Sequence, residues 1–321
     1  MKFIYLLAVS LLVFSSCDSK KADGTFTLKF GHLASEDNTW HKAALKFKEL
    51  VEERSKGKIS VELYPNSILG KEMELIDSIQ LGTADMTITG ESLQNLAPKA
   101  ALLAVPYAFA SSEEMRAAAS SPASQEIRDQ ITEKSGLVPI AWFERGPRHL
   151  TSNRPVKSPE DLNGLKVRVP NVPIFVKVWQ DLGAKPTPMA FSEVFTSLQQ
   201  STIEAQENPL SLIDSASFSE VQKHVNLTAH VRSWIYVVIG ENKLKSMPAE
   251  LQEIVKQSAL DMQKYENELF VAEEKNLRTK LEKAGMTFIE VDSQAFSDKA
   301  KNAVMSALNE EQRTLLEKLK N

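Results

Sequence analysis

The sequence contains a single cysteine, Cys17, which excludes a disulfide within the chain and any metal site built from several thiolates. Its five histidines show none of the spacings typical of metal ligands. The motifs HExxH, GxSxG, GxGxxG and the Walker loop are also absent, so metalloprotease, serine hydrolase, dinucleotide-binding and ATPase functions have no support. We therefore expect neither a metal nor a cofactor, and the folded body must be stable on its core alone.

An excess of positive charge is missing as well. The chain has 38 lysines and arginines against 42 aspartates and glutamates, a formal net charge of -4. This balance provides no excess of positive charge that could bind a nucleic acid, and we expect no such partner. With 321 residues, of which 42% are hydrophobic and 25% charged, the chain is an ordinary globular protein long enough for two domains.

The apolar run at the start of the chain, Phe3 to Phe14, is too short to span a bilayer. It follows the basic residue Lys2, and residues 1–16 have the form of a secretory signal peptide. Cys17 comes directly after two serines, which resembles the lipobox of bacterial lipoproteins, although Phe14 stands where leucine is usual. We expect acyl chains on Cys17, with residues 17–25 as a lipidated N-terminus and tether. The alternative is a cleaved signal with an incidental cysteine.

Apolar residues in the body of the chain follow strand and helix periods in turn. Alternation predicts strands over 26–31, 59–64 and 86–89, and helical spacing predicts a helix over 41–55 and another near 75–79. This order favours a parallel α/β sheet. Residues 183–188 are predicted as a turn-rich link, 213–223 as a helix, and 248–283 as a helix longer than one domain.

The stretch from Leu162 to Pro209 is the most informative part of the chain. Leu165, Val167 and Val169 alternate with Lys166 and Arg168, and Pro170 ends the predicted strand because proline has no backbone donor. Arg168 therefore lies at the carboxyl end of a strand, where open α/β sheets bind ligands. A guanidinium there can pair bidentately with a carboxylate, but the spacing alone favours an ordinary solvated arginine.

Three segments of this stretch, LKVRVPN, GAKPTPMAFSEVFTSLQQ and AQENPL, resemble the solute-binding proteins of tripartite ATP-independent periplasmic (TRAP) transporters. The resemblance extends from about residue 28 to about residue 283. It implies an α/β fold of two periplasmic-binding-protein lobes with mixed sheets, a ligand cleft between the lobes, and a long helix bridging both. Lobe I would comprise 26–145 plus 234–273, and lobe II 146–233 plus 274–321.

The resemblance also assigns roles to individual residues. Arg168 matches the arginine that grips the ligand carboxylate, and Arg148 matches a second arginine that often contributes to anion binding. Asn208 matches the site asparagine, with a simple turn residue as the alternative. Phe191 matches an aromatic residue that stacks on the ligand, with a core role as the alternative. Arg145 has no such match and is expected to be an ordinary surface charge.

Glu91 and His32 follow predicted strands and so lie at the same edge of the sheet as a ligand would. The carboxylate of Glu91 can accept hydrogen bonds from hydroxyl groups and would repel a second anion on the ligand. This combination favours a polyhydroxylated monoacid over a dicarboxylate. His32 could add one hydrogen bond, and for both residues a structural role is equally open. Among the tryptophans, Trp142 is the best placed to line a pocket.

These expectations describe a periplasmic, lipid-anchored monomer that is not an enzyme. It would capture a small organic acid, first of all a hexuronate or aldonate, and deliver it to the small and large membrane subunits of a TRAP permease. A C4-dicarboxylate or another organic acid is the alternative ligand, and a sensor is the alternative partner. The remaining alternative function is that of an enzyme that acts on acidic sugars and uses Glu91 and Arg148 for proton transfer.

Overall fold

The computed structural model describes residues 25–320. The predicted signal peptide, Cys17 and almost all of the predicted tether lie outside the described residues, so their predictions are not tested by it. Between residues 25 and 320, no helix is both long and apolar enough to cross a bilayer.

The described residues form eleven strands and eleven α-helices. The strands are β1 Phe26–Gly31, β2 Ile59–Tyr64, β3 Met86–Thr89, β4 Leu137–Glu144, β5 Arg148–Ser152, β6 Lys166–Val169, β7 Lys185–Pro188, β8 Ala205–Pro209, β9 His224–Val231, β10 Trp234–Gly240 and β11 Thr287–Ile289. The helices are α1 Thr39–Arg54, α2 Glu72–Gln80, α3 Ser112–Ser120, α4 Ala123–Ser135, α5 Pro173–Asp181, α6 Val194–Gln199, α7 Leu210–Ser215, α8 Glu241–Ser246, α9 Ala249–Lys283, α10 Ser293–Ala307 and α11 Glu310–Lys320. Short 3₁₀ helices include Glu91–Asn95 and Phe191–Glu193.

The strands build two mixed sheets with the orders β2-β1-β3-β10-β4 and β11-β9-β5-β8-β6-β7. Strands β1, β2 and β3 pair in parallel, as the order of strands and helices predicted, and β10 runs antiparallel to both β3 and β4. The chain leaves the first sheet after β4, builds most of the second, and returns as β10. The mixed sheets and two-lobed α/β fold implied by the family resemblance are confirmed.

Two short connections, Glu144 to Arg148 and Val231 to Trp234, join the sheets. The lobe boundaries proposed from the sequence stay a prediction. Helix α11, which that prediction places in lobe II, packs against α3 and α4.

Helix α9 is 35 residues long and therefore extends over about 50 Å at 1.5 Å per residue. It packs against α1 and β4 at the first sheet and against α7, which directly follows β8 of the second. This is the long bridging helix expected from the sequence.

Two predictions of local structure are wrong. The segment 213–223 is not one helix, because α7 ends at Ser215 and Ser217 takes a left-handed conformation with φ of 53°. The turn-rich link 183–188 contains strand β7, which pairs in parallel with β6. Its prolines, Pro186 and Pro188, suggested a turn, but β7 is an edge strand and an edge tolerates residues that cannot donate.

Helix α9 carries the buried Glu266 and the half-buried Glu274. Glu266 Oε1 accepts a hydrogen bond from Thr39 Oγ1 at 3.0 Å, and its Oε2 has no partner among residues 25–320. Burial, assisted by Glu144, raises the pKa of Glu266 to about 8 and that of Glu274 to about 7. Glu274 lies beside Gly146 in the connection between the sheets, whereas Glu266 faces α1.

A carboxyl group whose pKa is raised in the folded state destabilises the fold as pH rises from its unfolded pKa to its folded pKa. We therefore expect the free energy of unfolding to decrease between about pH 5 and pH 8, and Glu266→Gln to remove part of this loss, on the order of 1 to 2 kcal/mol at pH 8. Thermal unfolding at both pH values checks this, with the exposed Glu268→Gln as control. An unchanged pH dependence in Glu266→Gln would contradict it.

Candidate functional site

The carboxyl ends of β3 and β6 face a cavity with two adjoining parts. The inner chamber has a volume of about 40 Å³, the outer mouth has about 380 Å³, and the two share five lining residues. Five charged side chains line the inner chamber: Glu72, Glu91, Arg145, Arg148 and Arg168. No cluster of three or more metal-ligating side chains that could hold a metal occurs among residues 25–320.

The structure brings together five of the six candidate residues at the inner chamber: Arg168, Arg148, Asn208, Phe191 and Glu91. His32 is not among the lining residues. It is buried, and its Nε2 lies 3.1 Å from Nδ1 of His41. Burial, with a smaller contribution from His41, lowers the pKa of His32 to about 3, so its ring is neutral.

Arg168 is buried at the end of β6 and has no carboxylate partner within the described part of the chain. Its Nε and Nη2 donate to the carbonyl of Met189 at 3.0 and 2.7 Å. Its Cζ lies 6.0 Å from the ring centre of Phe191. Burial lowers the pKa of Arg168 to about 10, with Arg148 lowering it and Glu207 raising it. The guanidinium is therefore a desolvated cation at the chamber wall.

Arg148, at the start of β5, is held by Glu207 of the adjacent strand β8. Its Nε and Nη2 donate to the Glu207 carboxylate at 2.5 and 2.7 Å, and Nη2 also donates to the Glu207 carbonyl at 2.8 Å. His230 Nε2 lies 2.9 Å from the same carboxylate. Burial raises the pKa of Glu207, but Arg148 and His230 lower it more, to about 2. The charge of Arg148 is thus compensated, and its Nη1 group lies 3.6 Å from Glu91 Oε1, within ion-pair range but beyond hydrogen-bond distance.

The expectation for Arg145 is wrong, because its side chain is only 6% exposed. Its Nη2 and Nη1 donate to the Glu91 carboxylate at 2.6 and 3.2 Å, and Nη2 donates to Ser233 Oγ at 2.8 Å. No periodic pattern covers this short connection between the sheets, so its burial could not be predicted from neighbouring residues. Burial raises the pKa of Glu91, but the positive charges of Arg145 and Arg148 outweigh this effect, so the pKa is lowered overall. Since Arg145 compensates the charge of Glu91, the predicted repulsion of a second anion by Glu91 is weakened.

Glu91 reaches this position because Gly90 precedes it. A Cβ atom on Gly90 would lie 2.6 Å from Cγ2 of Ile235 on β10, so a larger residue would push the strand end away. Glycine lets the chain turn closely past β10 and directs Glu91 into the chamber.

Glu72, the first residue of α2, is a site residue that the sequence reasoning missed. Its carboxylate accepts hydrogen bonds from Thr89 Oγ1 at 2.6 Å and Ser92 Oγ at 2.9 Å. Burial raises its pKa, and nearby Glu91 adds to this effect. The available signal was its position at a predicted helix start two residues after Gly70.

Asn208 and Trp40 complete the polar and aromatic lining. Asn208 Nδ2 donates to Gln206 Oε1 at 2.6 Å, and Gln206 Nε2 donates to Thr151 Oγ1 at 2.9 Å, so the amide of Asn208 is oriented by buried neighbours. Trp40 lines the inner chamber, whereas Trp142, the tryptophan favoured from the sequence, lines a separate surface pocket with Gln263.

Comparison with known proteins places these features in a family. Residues 30–312 match the model of bacterial extracellular solute-binding protein, family 7 (DctP). A crystal structure of a TRAP periplasmic solute-binding protein from Roseobacter denitrificans OCh 114 with bound L-galactonate has 56% sequence identity and a TM-score of 0.90, covering 92% of this chain and 99% of that one.

Two further relatives are similar over nearly the same length. The 2,3-diketo-L-gulonate-binding periplasmic protein YiaO of Escherichia coli is 35% identical over 94% of this chain and 91% of its own length. A TRAP periplasmic solute-binding protein from Xanthobacter autotrophicus Py2 with bound β-D-galacturonate has 28% identity and a TM-score of 0.87, over 91% of this chain and 99% of that one.

Proposed function

Since this chain belongs to family 7 of the bacterial extracellular solute-binding proteins, the family of DctP, we propose that it captures a six-carbon sugar acid for a TRAP permease. The chain is a binding protein and not an enzyme. The sugar acid, its contacts and the lipid anchor are the finer parts of the proposal.

The observation that carries the proposal is the buried guanidinium of Arg168, which has no carboxylate partner among residues 25–320. A buried charge without a partner is costly, and a carboxylate that reaches it makes short, charge-assisted hydrogen bonds. The carboxylate of the ligand would therefore supply the negative charge that compensates Arg168. Arg148 Nη1 and the amide of Asn208 would contact the same end of the ligand, and Phe191 would cover an apolar side.

Ligand size and relatives favour a hexonate or hexuronate. The Roseobacter relative binds L-galactonate and the Xanthobacter relative binds β-D-galacturonate, and both are six-carbon acids with one carboxyl group. The inner chamber of about 40 Å³ has room for roughly three water molecules. A hexonate would therefore enter with the walls apart, and hinge closure of the two lobes would enclose it. Closure excludes water, which strengthens the ion pair with Arg168.

A thermal-shift screen tests the proposal, because a ligand that binds only the folded state raises the apparent stability. We expect stabilisation by L-galactonate, D-galacturonate or D-glucuronate and little by succinate or malate. If only the C4-dicarboxylates stabilise the protein, its ligand belongs to the alternative class and the proposed sugar acid is wrong. No stabilisation by any organic acid would overturn the proposal. Neighbouring genes for two membrane subunits would favour a permease over a sensor as the partner.

The proposed lipid anchor makes a separate prediction. Cys17→Ser removes the thiol that would carry acyl chains, so the variant is expected in the soluble fraction while the parent sediments with membranes. Cell fractionation followed by immunoblotting measures this. Ser19→Ala, two residues away, is the matched control and should stay with the membrane. Continued membrane association of Cys17→Ser would reject the anchor.

A further inference from the structure

The outer mouth of the cavity is bridged by contacts between elements of the two sheets. Lys71 directly precedes α2, which packs against β3 and β10 of the first sheet. Glu193 ends the 3₁₀ helix that follows β7 of the second sheet. Both side chains line the outer mouth, and Lys71 Nζ lies 2.7 Å from Glu193 Oε1. Asn95 Nδ2, beyond β3, donates to the carbonyl of Asn171, beyond β6, at 3.1 Å, so the mouth is bridged at two places.

Each end of the ion pair between Lys71 and Glu193 is held at the start of a helix. The backbone N–H of Lys71 donates to Glu74 Oε2 at 2.9 Å, and the backbone N–H of Ala190 donates to Glu193 Oε2 at 3.3 Å. The other carboxylate oxygen of Glu193 is thereby directed toward Lys71. The hydrogen bond between the two side chains raises the pKa of Lys71 and lowers that of Glu193, so both groups are charged near neutral pH.

Residues 189–193 connect this ion pair with the inner chamber. The carbonyl of Met189 accepts hydrogen bonds from Arg168, and Phe191 lines both the inner chamber and the outer mouth. Two residues later, Glu193 reaches across the mouth to Lys71. Hinge opening of the two lobes separates the elements that carry Lys71 and Glu193. The pair therefore belongs to the state in which the mouth is closed.

We propose that the ion pair of Lys71 and Glu193 is a gate, which holds the outer mouth closed over a bound ligand and slows its release without contacting the ligand itself. The inference rests on the proposed function in one respect, namely that a ligand occupies the chamber. The two side chains are 45% and 46% exposed, and exposed ion pairs contribute little free energy. Loss of the pair should therefore increase the rate constant of release about two- to fivefold.

Stopped-flow fluorescence with L-galactonate measures this rate constant, since Trp40 lines the inner chamber and can report its occupation. The variants are Lys71→Met, Glu193→Gln and their combination, and glutamine keeps an oxygen that can accept from Ala190. Asp181→Asn, which breaks an exposed ion pair within α5, is the matched control. We expect faster release from each single variant, no further increase in the double variant, and release from the control at the rate of the parent.

The opposite signs of the two charges separate a gate from simple attraction of an anion. Lys71→Met removes a positive charge and Glu193→Gln removes a negative one. An effect of net charge alone would shift the release rate of an anionic ligand in opposite directions, whereas a gate predicts faster release in both variants. Opposite shifts overturn the inference. Increases that multiply in the double variant also overturn it, because two groups that act as one pair are not additive.

Ionic strength supplies a second measurement. Raising the salt concentration from about 0.02 to about 0.5 M screens an exposed ion pair strongly, so release from the parent should accelerate, and the acceleration should be smaller in the double variant. Equal acceleration in both proteins overturns the inference. If the parent binds another organic acid but not L-galactonate, the proposed sugar acid alone is wrong, because release of the acid that binds measures the gate in the same way.

Discussion

Replacing Arg168 with alanine is expected to abolish ligand-induced thermal stabilisation and to leave the fold intact. Truncating one partner of a buried, hydrogen-bonded charge pair costs about 2 to 5 kcal/mol, which corresponds to roughly 30- to 5000-fold in affinity. The protein without ligand should unfold at the same temperature or higher, since Arg168 is a buried cation with no carboxylate partner among residues 25–320.

Calorimetric titration with the acid identified in the screen, together with thermal unfolding with and without it, measures both effects. Arg168→Lys keeps a positive charge but loses the planar fork, so we expect a smaller loss of affinity than for alanine. Lys166→Ala, an exposed residue on the same strand, is the matched control and should bind like the parent. Full stabilisation of Arg168→Ala by the acid would reject the proposed carboxylate contact.

Replacing Glu207 with glutamine is expected to destabilise the protein itself. The carboxylate of Glu207 is fully buried and compensates the charge of Arg148, with His230 hydrogen-bonded to it. Removing one member of a buried ion pair leaves the other uncompensated, which costs about 3 to 5 kcal/mol. For a chain of this size, that loss corresponds to a decrease in Tm of roughly 5 to 8 °C.

Thermal and urea unfolding of Glu207→Gln measure the loss, and the exposed Glu220→Gln serves as control. Adding Arg148→Met to Glu207→Gln should restore part of the stability, because the double variant no longer buries an unpaired guanidinium. A Tm for Glu207→Gln within about 2 °C of the parent would show that the pair adds little to stability.

The local pattern of apolar and polar residues was sufficient to predict several strands and the long helix. Strands β1, β2 and β3 and helix α9 lie within a residue or two of their predicted positions, because strand and helix periods are written in neighbouring side chains. The same local pattern, with Pro170 as a stop, placed Arg168 at a strand end. The local pattern gave a wrong prediction at β7, where two prolines suggested a turn. Prolines are compatible with this strand only because β7 is at the edge of its sheet, and local sequence does not show which strand is at an edge.

By itself, therefore, the sequence determined the element types, the family resemblance and the candidate arginines. The tertiary structure decided which of these arginines is uncompensated. Arg145 and Arg148 meet carboxylates 54 and 59 residues away, whereas the only hydrogen-bond acceptor for Arg168 within residues 25–320 is the backbone carbonyl of Met189. The three arginines differ in charge compensation because their partners depend on which strand ends the fold brings together. The spacing of residues along the chain does not predict those contacts.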